Sequence, residues 1–153
     1  MITKDLINEA QKKWGEGIVT IGSLKDNESE CFVYTNSFLN EMYDFKNNDV
    51  LFKPTKASVK QFRPTFKMAL SYFLGGDDSF CSEDDGFAMK PWIEVKFENS
   101  GYIIEDCRAI VMGNYFFKDT TDNEVKVEFT FGYKFRDGKL VIDLHHSSIP
   151  FSS

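Results

Sequence analysis

The sequence predicts an α+β fold in which N-terminal helices pack on one face of a curved antiparallel sheet. Apolar residues recur every three to four positions in the first half of the chain and every second position from Trp92 onward. In the second half, the turn-forming runs Asp119-Thr120-Thr121-Asp122-Asn123 and Asp137-Gly138 separate the alternating segments, which makes neighbouring strands antiparallel hairpin partners.

The first helix starts after Thr3, an N-cap residue type, and carries Ile7, Ala10, Trp14, Ile18 and Ile21 on one face, so it spans Lys4 to Leu24. Lys25-Asp26-Asn27 breaks it. A second helix with Cys31, Tyr34, Phe38 and Met42 on its apolar face follows, ended by Lys46-Asn47-Asn48-Asp49. Val50 to Thr55 is short and extended, because the residue before Pro54 is pushed toward β geometry. Val59, Phe62, Phe66, Ala69 and Phe73 predict a third helix, stopped by Gly75-Gly76. Ile93, Val95 and Phe97 then alternate with Trp92, Glu94, Lys96 and Glu98, as expected of a half-buried strand. Gly101 to Asp106, Arg108 to Lys118, Glu124 to Arg136 and Lys139 to Ser148 follow as successive strands.

With 153 residues the chain is expected to form one domain, residues 1–153, and sixteen Phe give that domain an unusually aromatic core. The net charge of −6, with no basic patch, excludes a phosphate-binding surface, so nucleic acid is not an expected partner. No apolar run reaches membrane-spanning length. The start, Met1-Ile2-Thr3-Lys4-Asp5, runs straight into a helix without a leader pattern, which reads as cytoplasmic; a trimmed targeting segment would leave the same sequence. Cys31, Cys81 and Cys107 form no C-x-x-C pair and are expected as free thiols.

The last strand carries the chemistry. Continuing the alternation of Leu140, Ile142 and Leu144 puts His146 and Ser148 on the inner face and Asp143, His145 and Ser147 on the other. His146 and Ser148 then either line a cavity or satisfy backbone groups where the strand frays. Adjacent histidines project to opposite faces and cannot chelate one ion, so no metal site and no cofactor are expected. Tyr72 borders the Phe face of the third helix, its hydroxyl either reaching a cavity or capping the core edge. Thr55, just after Pro54, faces either pocket or solvent. The acidic loop from Gly75 to Gly86 lacks the acid spacing of a calcium-binding EF-hand and reads as a solvated loop.

Several segments stand out together. One is the ending His145-His146-Ser147-Ser148-Ile149-Pro150-Phe151. More specific are Phe52-Lys53-Pro54-Thr55-Lys56-Ala57, Ala69-Leu70-Ser71-Tyr72-Phe73-Leu74-Gly75-Gly76, Glu83-Asp84-Asp85-Gly86-Phe87-Ala88 with Pro91-Trp92, Met112-Gly113-Asn114-Tyr115-Phe116-Phe117 and Phe131-Gly132-Tyr133. In these segments the chain resembles the iota-class carbonic anhydrases of bacteria and algae, relatives of the association domain of calcium/calmodulin-dependent kinases. The resemblance implies a cystatin-like cone of the nuclear-transport-factor-2-like type, hydrating CO2 to bicarbonate without a metal. It places the bicarbonate ligands on Thr55, Tyr72 and Ser148. His146, on the same expected face as Ser148, is the proton acceptor that the reading of the last strand itself suggests. A non-enzymatic oligomerisation or ligand-binding module of the same fold is the alternative, as is an isomerase or hydrolase of a larger organic ligand.

A homodimer through the outer face of the sheet is also expected. Ala109, Val111, Tyr115 and Phe117 line one side of their strand and Ile110, Met112 and Phe116 the other, and apolar residues on both faces require two partners.

Overall fold

The computed structural model describes residues 1–153. Helix α1 spans Lys4–Ser23, with the Thr3 hydroxyl accepting from the Leu6 amide at 3.1 Å as its cap. Helix α2 spans Glu28–Met42, capped in the same way by Asn27. Strand β1, Leu51–Lys53, and helix α3, Phe66–Leu74, complete the helical half. A single 3-10 turn at Phe87–Met89 leads into β2 (Trp92–Ile104), β3 (Arg108–Asp119), β4 (Glu124–Arg136) and β5 (Lys139–Ser148). The sheet order is β1-β5-β4-β3-β2, antiparallel except for β1 against β5. No helix is long and apolar enough to cross a membrane.

Two of the predicted elements change. The third helix begins at Phe66 rather than near Val59, because Pro64 disfavours helical geometry in the residue before it and Thr65 supplies the cap. Val59 and Phe62, whose spacing matches its apolar face, are exposed. The two segments on either side of residue 100 form one strand, β2, whose register against β3 slips between Trp92 and Glu94 and again between Asn99 and Gly101. The first slip puts Trp92 in the core beside Val95 and Phe97 and leaves Ile93 exposed.

The helices close the concave side of the sheet over a core that centres on Trp14. Its indole stacks on Tyr115 at 5.6 Å and meets Phe38, Phe97, Phe117 and Phe131 at tilted or edge-on angles, arrangements that favour aromatic pairs electrostatically.

A third irregularity lies between β4 and β5. Gly132 pairs with Leu144 while Tyr133 pairs with Ile142, so Asp143 has no partner and bulges. Gly132 makes room for it: a Cβ there would stand 2.8 Å from the Leu144 Cβ and 3.3 Å from both the Arg108 guanidinium and the Asp143 carboxylate. Across that gap Arg108 and Asp143 form a two-pronged ion pair that fixes the bulge to β3.

Gly113 on β3 has a similar duty opposite the slip at Asn99, where a Cβ would stand 2.2 Å from the Glu98 carbonyl oxygen and 2.9 Å from the Asn99 Cα. Gly113→Ala is expected to destabilise the protein by about 3 kcal/mol, since backbone cannot move aside as a side chain can. Gly101→Ala, with nothing within 4 Å of the new Cβ, should stay within about 0.5 kcal/mol of the parent. Urea unfolding of the two variants measures both.

Candidate active site

The bulge at Asp143 decides which residues of β5 reach the interior. Before it, Leu140 and Ile142 point inward; after it the parity reverses, and His145 and Ser147 are buried. The expectation that His146 and Ser148 share the inner face is therefore corrected. His146 is exposed on the outer face, and the half-buried Ser148 donates from its hydroxyl to the Glu128 carboxylate at 3.2 Å. Strict alternation fails because one extra residue shifts every later side chain to the opposite face.

His145 sits in an aromatic box, with Phe52 stacked at 4.9 Å, Phe131 at 4.3 Å and the edge of Trp14 at 5.7 Å. Both ring nitrogens are bonded, Nδ1 to the Tyr43 hydroxyl at 2.8 Å and Nε2 to the Tyr115 hydroxyl at 3.0 Å. Proton counting sets the direction of the chain. The Trp14 indole N–H, a donor only, gives its hydrogen to the Tyr43 oxygen at 3.1 Å. Tyr43 then donates to Nδ1, the neutral ring donates from Nε2 to Tyr115, and Tyr115 donates to the Ser147 hydroxyl at 2.5 Å. Ser147 shares a further bond of 2.6 Å with Thr55. In this arrangement every proton from Trp14 to Tyr115 is used, and the Ser147–Thr55 pair keeps one beyond its mutual bond.

Thr55 and Tyr72 come to the same place from the helical half. The Tyr72 hydroxyl accepts the Lys56 amide at 3.1 Å, which leaves its own proton free to donate. Its ring lies beside the buried Arg63 guanidinium, 5.8 Å from ring centre to cation. Arg63 is held by the Asp84 carboxylate through bonds of 2.9 and 2.8 Å and by the Lys60 and Met68 carbonyls. Glu83 accepts three consecutive amides, from Ser58, Val59 and Lys60, and these hold its carboxyl down to about 2. The acidic loop expected to be solvated thus clasps the segment that carries Thr55. Lys53 supports the other partner: its ammonium donates to the Ser147 carbonyl at 3.1 Å, next to Pro54, which has no N–H to offer.

Thr55, Tyr72, Tyr115, His145 and Ser147 border a narrow cleft walled by Trp14, Phe52, Pro54, Phe73 and Phe87. Its volume open to the centre of a water molecule is about 10 Å³, roughly the room for one water. No three His, Cys, Asp or Glu side chains come together anywhere as a metal-binding group. Burial raises the Tyr43, Tyr72 and Tyr115 hydroxyls above the ordinary phenol value, so they remain protonated donors.

Burial, and to a lesser degree His146, pushes the His145 imidazole down to about 3, so the ring is neutral in the native protein. The unfolded chain binds a proton near the ordinary value of 6.5 and the folded chain does not. The contribution of His145 to stability is therefore complete above that pH and declines as pH falls from 6.5 toward 3. Proton NMR of the two histidines should show the His145 ring signals flat between pH 8 and 5. A titration of His145 in that range would contradict the buried neutral assignment.

A family description of metal-independent carbonic anhydrases matches residues 5–149. A metal-independent carbonic anhydrase of Nostoc sp. is 36% identical over 154 aligned residues, covering 98% of this chain and 75% of that relative. The crystal structure of a cyanobacterial iota-carbonic anhydrase complexed with bicarbonate superposes with a TM-score of 0.94 at 35% identity, over 99% of this chain and 94% of that one. At the level of fold alone, a kinase II association domain from Xanthomonas campestris gives a TM-score of 0.63 at 21% identity, covering 95% of this chain and 87% of that one. An NTF-2-like protein from Shewanella oneidensis gives 0.59 at 17%, covering 96% and 99%. The α+β cone thus has the fold of the NTF-2-like protein and of the association domain, and the match along almost the whole chain shows that this protein belongs to the metal-independent carbonic anhydrase family.

Proposed function

We propose that this chain hydrates CO2 to bicarbonate in the cleft between Thr55, Tyr72 and Ser147, without a metal ion in the step. The observation that carries the reading is the meeting of the Thr55 and Ser147 hydroxyls at 2.6 Å beside Tyr72, at the end of a buried chain of donors. The bicarbonate held by the cyanobacterial relative supports the same substrate.

Most carbonic anhydrases obtain hydroxide from zinc, which brings the pKa of its water to about 7. Here the barrier is lowered by position and by neutral donors instead. As the water oxygen bonds to carbon, negative charge grows on the CO2 oxygens. Tyr72 has a free proton, and the Thr55–Ser147 pair has one left after its mutual bond, so two hydroxyl donors are available to that charge. The Trp14-Tyr43-His145-Tyr115 chain keeps Ser147 oriented for this duty. The attacking water gives up one proton. His146 lies on the outer face and His145 is too weak a base to keep that proton, so it passes to solvent or buffer.

Ser147→Ala is expected to lower CO2 hydration at least about tenfold, in line with the loss of an oxyanion donor. Ser148→Ala should leave it unchanged, and Tyr72→Phe, which keeps the ring, should lower activity without unfolding the protein. Stopped-flow hydration on chelator-treated protein measures all three. Equal losses at Ser147 and Ser148, or activity restored only by a divalent ion, would overturn the assignment.

The outer sheet face supports the expected homodimer. Met112 is 59% exposed and Ile103 65%, next to the half-buried Ile110 and Phe116. Light scattering at micromolar concentration should give twice the mass of one chain, and Met112→Glu should shift it toward the monomer. A stable monomer in the parent protein would rule the dimer out.

A further inference from the structure

The cleft has room for about one water, whereas CO2 has three heavy atoms and bicarbonate four, so a wall has to give way for either to be held. Trp14, Phe52, Tyr72, Phe73, Tyr115, His145 and Ser147 are each at most 5% exposed, and Pro54 is buried with its ring fixed to the backbone. Thr55 is tied to Ser147. The remaining wall is the half-buried ring of Phe87, which packs on the rings of Tyr72 at 5.6 Å, Trp92 at 5.5 Å and Phe117 at 5.1 Å.

On the far side of Phe87 lies a second groove, about 390 Å³ in volume, which Lys56, Lys90, Asp85 and Trp92 also border. Tyr72 and Phe87 are the two residues common to both spaces, and their rings stack within 15° of parallel. The stacked pair is therefore the partition between them. Its two halves are held differently: the Tyr72 hydroxyl is bonded to the Lys56 amide, and the Phe87 ring has no polar anchor.

The backbone beneath Phe87 is fixed. Its carbonyl accepts the Trp92 indole N–H at 2.8 Å, and the Met89 amide donates to Gly86 at 3.0 Å. Gly86, at φ 84°, packs so closely on Leu74 that a Cβ would stand 2.6 Å from its carbonyl oxygen. Opening by loop movement would break these contacts; rotation of one side chain would not.

We propose that the Phe87 ring is the gate and size filter of the cleft, admitting molecules of the size of CO2 and bicarbonate from the outer groove and excluding larger carboxylates. The identity of the substrate rests on the function proposed above; the gate itself does not.

The two tryptophans of the chain fall on opposite sides of the partition, Trp14 on the cleft and Trp92 on the groove. Fluorine NMR of protein labelled with 5-fluorotryptophan therefore reads the two spaces separately, and dissolved xenon, which enters enlarged apolar cavities, tests access without any chemistry. Xenon is expected to move the Trp14 signal in Phe87→Ala, to a smaller extent in Phe87→Leu, and hardly at all in the parent. An equal response in parent and Phe87→Ala, or none in a Phe87→Ala protein whose melting shows it folded, overturns the gate.

A second measurement compares nitrate and benzoate as inhibitors of CO2 hydration. Benzoate should gain at least about tenfold in Phe87→Ala relative to nitrate; parallel changes would overturn the size filter. A parent protein that hydrates no CO2 would remove the proposed function while the xenon result still decides the gate.

Discussion

Asp143 is the residue on which the site turns. Its carboxylate crosses Gly132 to pair with Arg108, and the bond holds one more residue in β5 than β4 can match. Were β5 regular, Ser148 and His146 would face the core and Ser147 would face outward. Tyr115 and Thr55 would then lose the hydroxyl that links them. A partly exposed ion pair of this kind adds little to stability by itself. Its effect here is geometric, because it sets the phase of the whole terminal segment.

Around that segment the chain resolves a difficult balance. Polar groups placed among so many aromatic rings lose water, and each unbonded one would cost stability. The chain from Trp14 to Thr55 satisfies them in series, so that the same bonds that make burial tolerable also orient Ser147. Burial acts on charge as well. It keeps the phenols protonated and the imidazole neutral, leaving a site that donates hydrogen bonds while carrying no net charge of its own. That suits a neutral, weakly polar substrate whose charge appears only as it reacts.

The helices, the long strands and the hairpins were legible because they rest on local periodicity. In β4 that periodicity puts Val125, Val127, Phe129, Phe131, Tyr133 and Phe135 on one face, of which the four from Val127 to Tyr133 are buried and Val125 is exposed. The family resemblance points to Thr55 and Tyr72, though their local pattern leaves their direction open; the contacts at Ser147 and Lys56 fix it. The reversal at β5 was hidden, because a bulge depends on what lies across the sheet, and neither Gly132 nor Arg108 is near Asp143 in sequence. Gly132 within an apolar strand was the one local hint. Tyr43 and Trp14 looked like ordinary core residues, and the Arg63–Asp84 clasp joins residues that no spacing rule relates. Tyr115, grouped by the alternation with Ala109, Val111 and Phe117 as part of an apolar face, was missed as a site residue; a hydroxyl on that face is the signal that could have found it.

The substitution of an ammonium for a missing amide at Lys53 reaches beyond the cleft. Where Pro54 leads the chain away, the final stretch of β5 would otherwise present bare carbonyls at the margin of the sheet, an invitation for a foreign strand to add on. Instead the margin ends in a three-residue strand and a lysine side chain folded over the Ser147 carbonyl. The opposite margin, β2, is long, but its register slips at Asn99 and its outer positions include Glu94, Lys96 and Glu98. Both borders of this sheet thus resist the strand addition from which insoluble aggregates grow, and at one of them the guard is the same side chain that steadies Ser147.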